Sequence, residues 1–268
     1  MRYYDAHNHL HDERFGGRQE ELIATCRAAG IARMVVNGSC EADWPHVAAL
    51  ARAHPDLVIP SFGYHPWYIH ERTPRWLEHL ARSLDETPGS VIGEIGLDRW
   101  KPGLSYEGQE EVFTAQLELA AARNLPASIH CLQAWGRMHD LLRARPRPAR
   151  GFLLHSYGGS QEMVTPLAKL GAYFSLPGYY AHERKARQRE TFRHVPADRL
   201  LIETDSPDQP LPDDLNEHPL QETASGRALN HPANLPAVYR FAAGLTEASP
   251  EVLGARIEGN FLRLFGPG

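Results

Sequence analysis

Eight short apolar runs alternate with helical patterns along 268 residues, and that alternation predicts a (β/α)8 barrel. The stretches between the runs leave room for one crossover helix each. Polar residues gather at the C-terminal ends of the runs, the side on which such a barrel opens its mouth. An open doubly wound sheet uses the same units. However, the first run is not followed by a G-x-G-x-x-G fingerprint, and the chain has no P-loop.

The first predicted strand is Arg2–Ala6 and its helix is Arg18–Ala29. Arg33–Asn37 with Ala42–Ala53 makes the second unit, and Leu57–Phe62 with Arg75–Leu84 the third. Ser90–Glu94 precedes a long helix at Glu107–Arg123, Ala127–His130 precedes Ala134–Arg143, and Gly151–His155 precedes Gln161–Leu170. Gly171 stops that last helix before the strand Ala172–Ser175. Leu200–Glu203 is the eighth strand, and no helix is assigned ahead of it. Helices at Ala233–Leu245 and Ser249–Phe265 close the chain, the latter with Ser249 as N-cap and Pro250 at its first position. The basic, proline-bearing stretch Arg143–Arg150 reads as a loop between a helix and a strand.

Composition narrows the class of protein. The chain is 42% hydrophobic and 23% charged, with a formal net charge of -5, and reads as one domain over residues 1–268. No basic excess advertises a polyanion-binding surface. Three cysteines, Cys26, Cys40 and Cys131, are too few and odd in number for a disulfide framework and suit a reducing compartment. No apolar run approaches the roughly 20 residues of a membrane helix, and MRYYDAHNHL lacks a signal-peptide core. A cytoplasmic enzyme without membrane contact is expected, and nothing in the sequence calls for an obligate protein partner.

The 15 histidines are the unusual feature. The first strand runs into Asp5-Ala6-His7-Asn8-His9, the third leads to Gly63-Tyr64-His65-Pro66, and the fourth to Gly93-Glu94-Ile95-Gly96-Leu97-Asp98. The fifth ends at His130, the sixth at His155, and the eighth at Glu203-Thr204-Asp205. Residues i and i+2 of a strand share a face, so His7 and His9 can reach one ion together. Taken singly, each of these residues has a plain structural explanation, such as a turn, a cap or a core hydrogen bond. Together, metal-ligating types at the ends of six of the eight predicted strands point to a metal site at the barrel mouth. His11, His70 and His231 also follow strand ends and are candidates for the rim, whereas His46, His54, His79, His139, His182, His194 and His218 fall on helices or loops.

These motifs, with the strand PASIH at His130, GFLLHSYGG at His155, Glu203-Thr204-Asp205-Ser206-Pro207, His231-Pro232-Ala233-Asn234 and the tail Asn260-Phe261-x-x-Leu264-Phe265, resemble the TatD family of metal-dependent hydrolases and deoxyribonucleases. The resemblance runs in order from residue 5 to about residue 265. It implies a TIM barrel of the metal-dependent hydrolase type. It also implies His7, His9 and Asp205 around one divalent ion, His130 and His155 around a second, and Glu94 bridging the two. Mg, Mn or Zn would suit such mixed imidazole and carboxylate donors. The chain departs from the family where His130-Cys131-Leu132-Gln133-Ala134 lacks a customary arginine, where Asn230-His231-Pro232 replaces an Asn-Glu-Pro type motif, and over Pro210–Gly226. The three lysines, Lys101, Lys169 and Lys185, lie away from strand ends, so a carboxylate bridge is expected and not a carbamylated lysine.

The chemistry implied is hydrolysis of a phosphodiester by a metal-activated water, with 3'-5' exonuclease-like polarity. Asp205 would serve as general base or water-orienting group, Glu94 as bridge, and His65 would face the phosphate or the leaving group. Glu203 would either orient a neighbouring histidine or pair as a core carboxylate within the barrel, and Asp5 and Asp98 would belong to the scaffold or support a ligand from behind, without a catalytic part. The acidic net charge favours DNA with single-stranded or frayed ends over duplex held by a basic groove. Tyr64, Trp67, Tyr68, Trp100 and Tyr179 are candidates for stacking on bases. The alternative is a metal hydrolase of a small ester, lactone or amide on the same barrel, and a non-catalytic metal-stabilised scaffold stands third.

Overall fold

The computed structural model describes residues 1–267. Eight parallel strands stand in sequence order: β1 (Tyr3–Asn8), β2 (Ile31–Asn37), β3 (Val58–Phe62), β4 (Val91–Asp98), β5 (Ala127–Leu132), β6 (Phe152–Leu154), β7 (Ala172–Pro177) and β8 (Leu200–Glu203). Side-chain and main-chain bonds at the mouth join β1 to β8. The amide of Asp205 donates to the His7 carbonyl at 2.9 Å and that of His9 to the Ser206 carbonyl at 2.7 Å. Buried Asp5 accepts from both the amide and the hydroxyl of Thr204, at 3.0 and 2.6 Å. Consecutive parallel neighbours joined in this way form the expected barrel.

The outer layer holds α1 (Gln19–Ala28), α2 (Trp44–Ala53), α3 (Trp76–Glu86), α4 (Tyr106–Arg123), α5 (Trp135–Ala144), α6 (Val164–Lys169), α7 (Ala186–Phe192), α8 (Leu235–Thr246) and α9 (Pro250–Phe265). Local chemistry explains several boundaries. Ser105 and Ser249 accept from the amides of Gly108 and Val252 and cap α4 and α9. Pro250 takes the first position of α9, where its missing N–H costs nothing. Asn124 adopts φ 49° to end α4. The apolar core is continuous between strands and helices, with Phe62, Phe113, Phe152, Phe174 and Phe261 fully buried.

Two expectations are corrected. Glu94 lies in the middle of β4, which continues to Asp98, and β5 passes His130 to Leu132, because Gly96, Leu97 and Asp98 pair with His130, Cys131 and Leu132. The segment before β8 contains α7, whose sequence ARQRETF buries only Thr191 and Phe192 and so carries no amphipathic period to read. A small hairpin, Leu220–Gln221 with Ala228–Leu229, has one arm within Pro210–Gly226. The other strands and helices match their expected positions to within a few residues at each end. Among the described residues, no helix is long and apolar enough to cross a membrane.

At Gly96 the β4–β5 pairing leaves no space for a side chain. The residue has φ +154°, and a Cβ there would overlap the carbonyl oxygen of His130. Gly96→Ala should force the two strands apart and lower Tm by roughly 10 °C in a thermal melt. Gly244→Ala, in α8 with open space around it, should raise Tm by about 1–4 °C. An unchanged Tm for Gly96→Ala would contradict this packing.

Candidate metal centre

Two bulges aim the site residues. Asp5 pairs with Met34 and Asn8 with Val36, so β1 carries one extra residue around His7. Ile92 pairs with Ala127 and Ile95 with Ile129, which leaves the extra residue at Gly93–Glu94 in β4. A bulge twists the strand and re-aims its side chains. Gly93 makes the second bulge fit. A Cβ there would lie 2.7 Å from Ser61 Oγ, 2.8 Å from Ser128 Cβ and 2.9 Å from Asn37 Oδ1.

Glu94 is the centre of the cluster and is 2% exposed. Its Oε2 lies 3.4 Å from His7 Nε2 and 3.2 Å from His9 Nε2. Its Oε1 lies 3.1 Å from His130 Nδ1, 2.9 Å from His155 Nε2 and 3.4 Å from His65 Nε2. Each carboxylate oxygen thus faces its own set of imidazoles. Asp205 completes the first set, with Oδ1 3.6 Å from His7 Nε2 and 3.7 Å from His9 Nε2. Its other oxygen accepts from Gln209 Nε2 at 2.5 Å.

The outer contacts decide which nitrogen of each ring faces inward. His9 Nδ1 lies 2.7 Å from the Asn37 carbonyl. A carbonyl only accepts, so Nδ1 carries a proton and Nε2 is the nitrogen that faces the site. His130 Nε2 lies 2.9 Å from Asp98 Oδ2, which leaves Nδ1 for the interior. His65 is the opposite case. The Trp67 amide donates to its Nδ1 at 3.2 Å, so in the neutral ring Nε2 bears the hydrogen and points it inward.

Burial opposes ionisation of Glu94, but His65, His155, His7 and the hydrogen bond from His130 outweigh it and hold its carboxyl well below the usual range. Burial, reinforced by Glu203 and Glu94, pushes Asp205 up to about 7 against the pull of His155 and His9. Burial drives His7 down to about 3 and His65 down to about 4, so both rings are neutral at pH 7. His9 runs the other way. Burial disfavours its charge, yet the hydrogen bond and charge of Glu94, with Asp205 and Asp208, push it up to about 9.

These residues fit divalent ions. Three groupings bring ligand atoms within 4.8 Å of one another: His7, His9 and Glu94; His7, His155 and Asp205; and His65, Glu94 and His130. The donors are imidazole nitrogens and carboxylate oxygens, the set that borderline divalent cations prefer. The inward nitrogens of His9 and His130 face carboxylate oxygens, so a proton or a cation must lie between the atoms of each pair. His155 Nδ1 is buried without a hydrogen-bond partner and lies 3.7 Å from Glu203.

All six residues expected to bind metal therefore meet at one point, with His65 beside them. Glu203 accepts from the Ser156 amide at 2.7 Å and from the Ser175 hydroxyl, so it anchors the β6 and β7 ends as well as facing His155. Asp5 ties β1 to Thr204, and Asp98 contacts His130 from outside the cluster. Among the further rim candidates, His11 lies 3.3 Å from Asp43 beside the His9 ring. His231 caps a turn by accepting from the Ala233 amide, and His70 is exposed. Sequence reasoning missed Asn37, Ser128, Gln209 and Ser156. Ser128 Oγ is 2.8 Å from His7 Nδ1, and Gln209 bridges Ser156 Oγ and Asp205. Ser128 carried a readable signal, a polar residue within an apolar strand, whereas Asn37 acts through its main-chain carbonyl and the loop residues Gln209 and Ser156 carried none.

A family model described as TatD related DNase matches residues 4–266. The chain is 30% identical over 263 residues to a protein of Pantoea vagans named 3'-5' ssDNA/RNA exonuclease TatD, and the match covers 98% of each chain. It is 32% identical over 261 residues to the protein of the same name from Edwardsiella piscicida, covering 96% of each. Among solved structures, a TatD homolog from Escherichia coli K12 superposes with a TM-score of 0.88 at 24% identity, over 99% of this chain and 98% of that one.

Asp98 holds His130 through Nε2 and so fixes the direction of Nδ1. Asp98→Ala should weaken Mn2+ or Zn2+ binding by roughly 10–100-fold in isothermal titration calorimetry. Wild-type affinity in this variant would show that the Asp98 contact does not orient the ring.

Proposed function

The chain belongs to the TatD-related DNase family, and on that premise we propose that it is a divalent-metal-dependent nuclease that removes nucleotides from single-stranded or frayed nucleic-acid ends in the 3'-5' direction. The observation that carries this reading is the division of Glu94, one oxygen toward His7 and His9 and the other toward His130 and His155. We assign two ions per chain to this arrangement, Mg, Mn or Zn. His7, His9 and Asp205 would hold one, His130 and His155 the other, and Glu94 both. Ions bound there would polarise the phosphodiester and lower the pKa of water toward 7.

The protein's own groups have distinct tasks. His65, neutral and carrying its hydrogen on Nε2, donates to a phosphate oxygen or to the leaving oxygen. Gln209 holds Oδ2 of Asp205, so Oδ1 is the atom left to orient the attacking water and receive its proton. Glu94 stays ionised among its imidazoles and keeps the two halves in register. Glu203 faces His155 Nδ1 and fixes that ring.

The net charge of -5 supports capture of a strand end over grip on a duplex. We read residues 1–268 as one catalytic domain, a reading supported by the span of the family match. A cytoplasmic location belongs to the same reading. Cys26, Cys40 and Cys131 are separate buried thiols, as a reducing compartment would keep them.

With a labelled single-stranded oligonucleotide and Mg2+ or Mn2+, the protein should shorten the strand stepwise. Chelation should stop the reaction, and added ion should restore it. Glu94→Ala and Asp205→Asn should each lower kcat by on the order of 10³-fold with an unchanged circular dichroism spectrum. Turnover of a chromogenic lactone or ester without any strand cleavage would overturn the reading in favour of a small-molecule hydrolase.

A further inference from the structure

Five aromatic residues near the mouth are candidates for contact with bases, and their surroundings separate them. Tyr64 is 2% exposed, and its hydroxyl donates to Glu41, so it packs a loop. Tyr179 is covered by the cations of Arg184 and Lys185, at 5.2 and 4.8 Å from its centroid. Tyr68 is half-buried beside His65. Trp100 is different, with 59% of its surface exposed in the loop after β4. Its ring centroid lies 6.5 Å from that of Trp67, with 30° between the planes. Trp67 in turn lies 5.1 Å from the His65 ring and 6.4 Å from that of His130. The two indoles therefore lead from solvent to the edge of the ligand cluster. Leu132, 37% exposed and paired across from Asp98, extends the apolar surface. Lys101 holds its ammonium 4.5 Å from the Trp67 centroid.

This surface is fixed. Asp98 Oδ2 accepts from Trp67 Nε1 at 2.8 Å, and Oδ1 accepts from the amides of Trp100 and Lys101 at 2.7 and 2.9 Å. The same carboxylate contacts His130. One buried side chain thus holds the Trp67 indole and the main chain that carries Trp100. An exposed tryptophan on an anchored loop, next to a second indole and an exposed leucine beside a polar centre, makes an apolar patch of the kind that binding sites use.

Lys101 thus covers Trp67 much as cations cover Tyr179, and Trp100 keeps the free face. We propose that Trp100, backed by Trp67, is a stacking platform for the base of the nucleotide at the strand end being cut, with Lys101 beside the backbone phosphate. Every nucleobase has a flat face, so the platform accepts any base and lends the enzyme affinity for an unpaired end without a basic groove. A paired base is stacked within its duplex and leaves no free face for the indoles, which ties the platform to single-stranded and frayed ends. The inference rests on the nuclease reading above and names the subsite that the reading lacks.

The test measures kcat and KM on two single-stranded oligonucleotides with Mn2+, one ending in a normal 3' nucleotide and one in an abasic 3' nucleotide. Trp100→Ala should raise KM about tenfold on the normal strand, with a smaller change in kcat. The penalty should vanish on the abasic strand, which wild-type enzyme should itself bind about tenfold more weakly. Trp100→Phe should recover most of the loss, since it keeps a ring. Mn2+ affinity by calorimetry should be that of wild type in both variants, because Trp100 touches no candidate ligand. An equal penalty for Trp100→Ala on both strands, or none on either, would overturn the platform while leaving the nuclease reading intact. A wild-type enzyme inert on both strands would overturn the nuclease reading and the platform with it.

Discussion

A carboxylate removed from water and ringed by imidazoles is the constraint around which this protein is arranged. Glu94 is 2% exposed and within 3.4 Å of five histidine nitrogens. An isolated carboxylate in such a place would neutralise itself by taking up a proton. The surrounding rings prevent this and keep it ionised, and they in turn are held by partners outside the cluster. Ser128, the Asn37 carbonyl, Asp98 and Glu203 each face the outer nitrogen of one ring. The inward atoms are therefore chosen by bonds two layers away from the chemistry. Asp205 shows the same crowding from the other side, because two neighbouring carboxylates and burial raise its proton affinity. A divalent cation relieves both conditions at once.

The barrel supplies what this constraint needs, which is strand ends that converge and do not move. Bulges at His7 and at Gly93–Glu94 turn side chains into the mouth that a regular ladder would send elsewhere. Asp5 and the main-chain bonds around His7, His9 and Asp205 lock β1 to β8 at the height of the site. The contacts that close the barrel therefore also bring the candidate ligand residues together.

Asp98 connects this centre to the surface. It touches His130, Trp67 and the loop that carries Trp100 and Lys101. The net charge of -5 argues against a charge-driven grip on duplex and gives local contacts more weight. Ions at the mouth and aromatic faces at its rim are contacts of that kind, and both act best on an end whose last base is free.

The sequence by itself determined the barrel and the ligand types. Alternating apolar runs and helical patterns repeat whatever the surroundings, and His7, His9, Glu94, His130, His155 and Asp205 are metal-binding types that recur at one end of those runs. α7 was not legible, because tertiary packing on Phe192 and not an apolar stripe holds ARQRETF in a helix. The position of Glu94 within β4 was not legible either, because a bulge depends on the pairing of two strands distant in sequence. Only the tertiary structure decided how Glu94 divides its oxygens, which nitrogen of His9, His65 and His130 faces inward, and which of five aromatics has a free face. Each of these is set by a partner from another strand or loop, such as Asn37, Asp98 or Gln209, and no spacing along the chain records who that partner is.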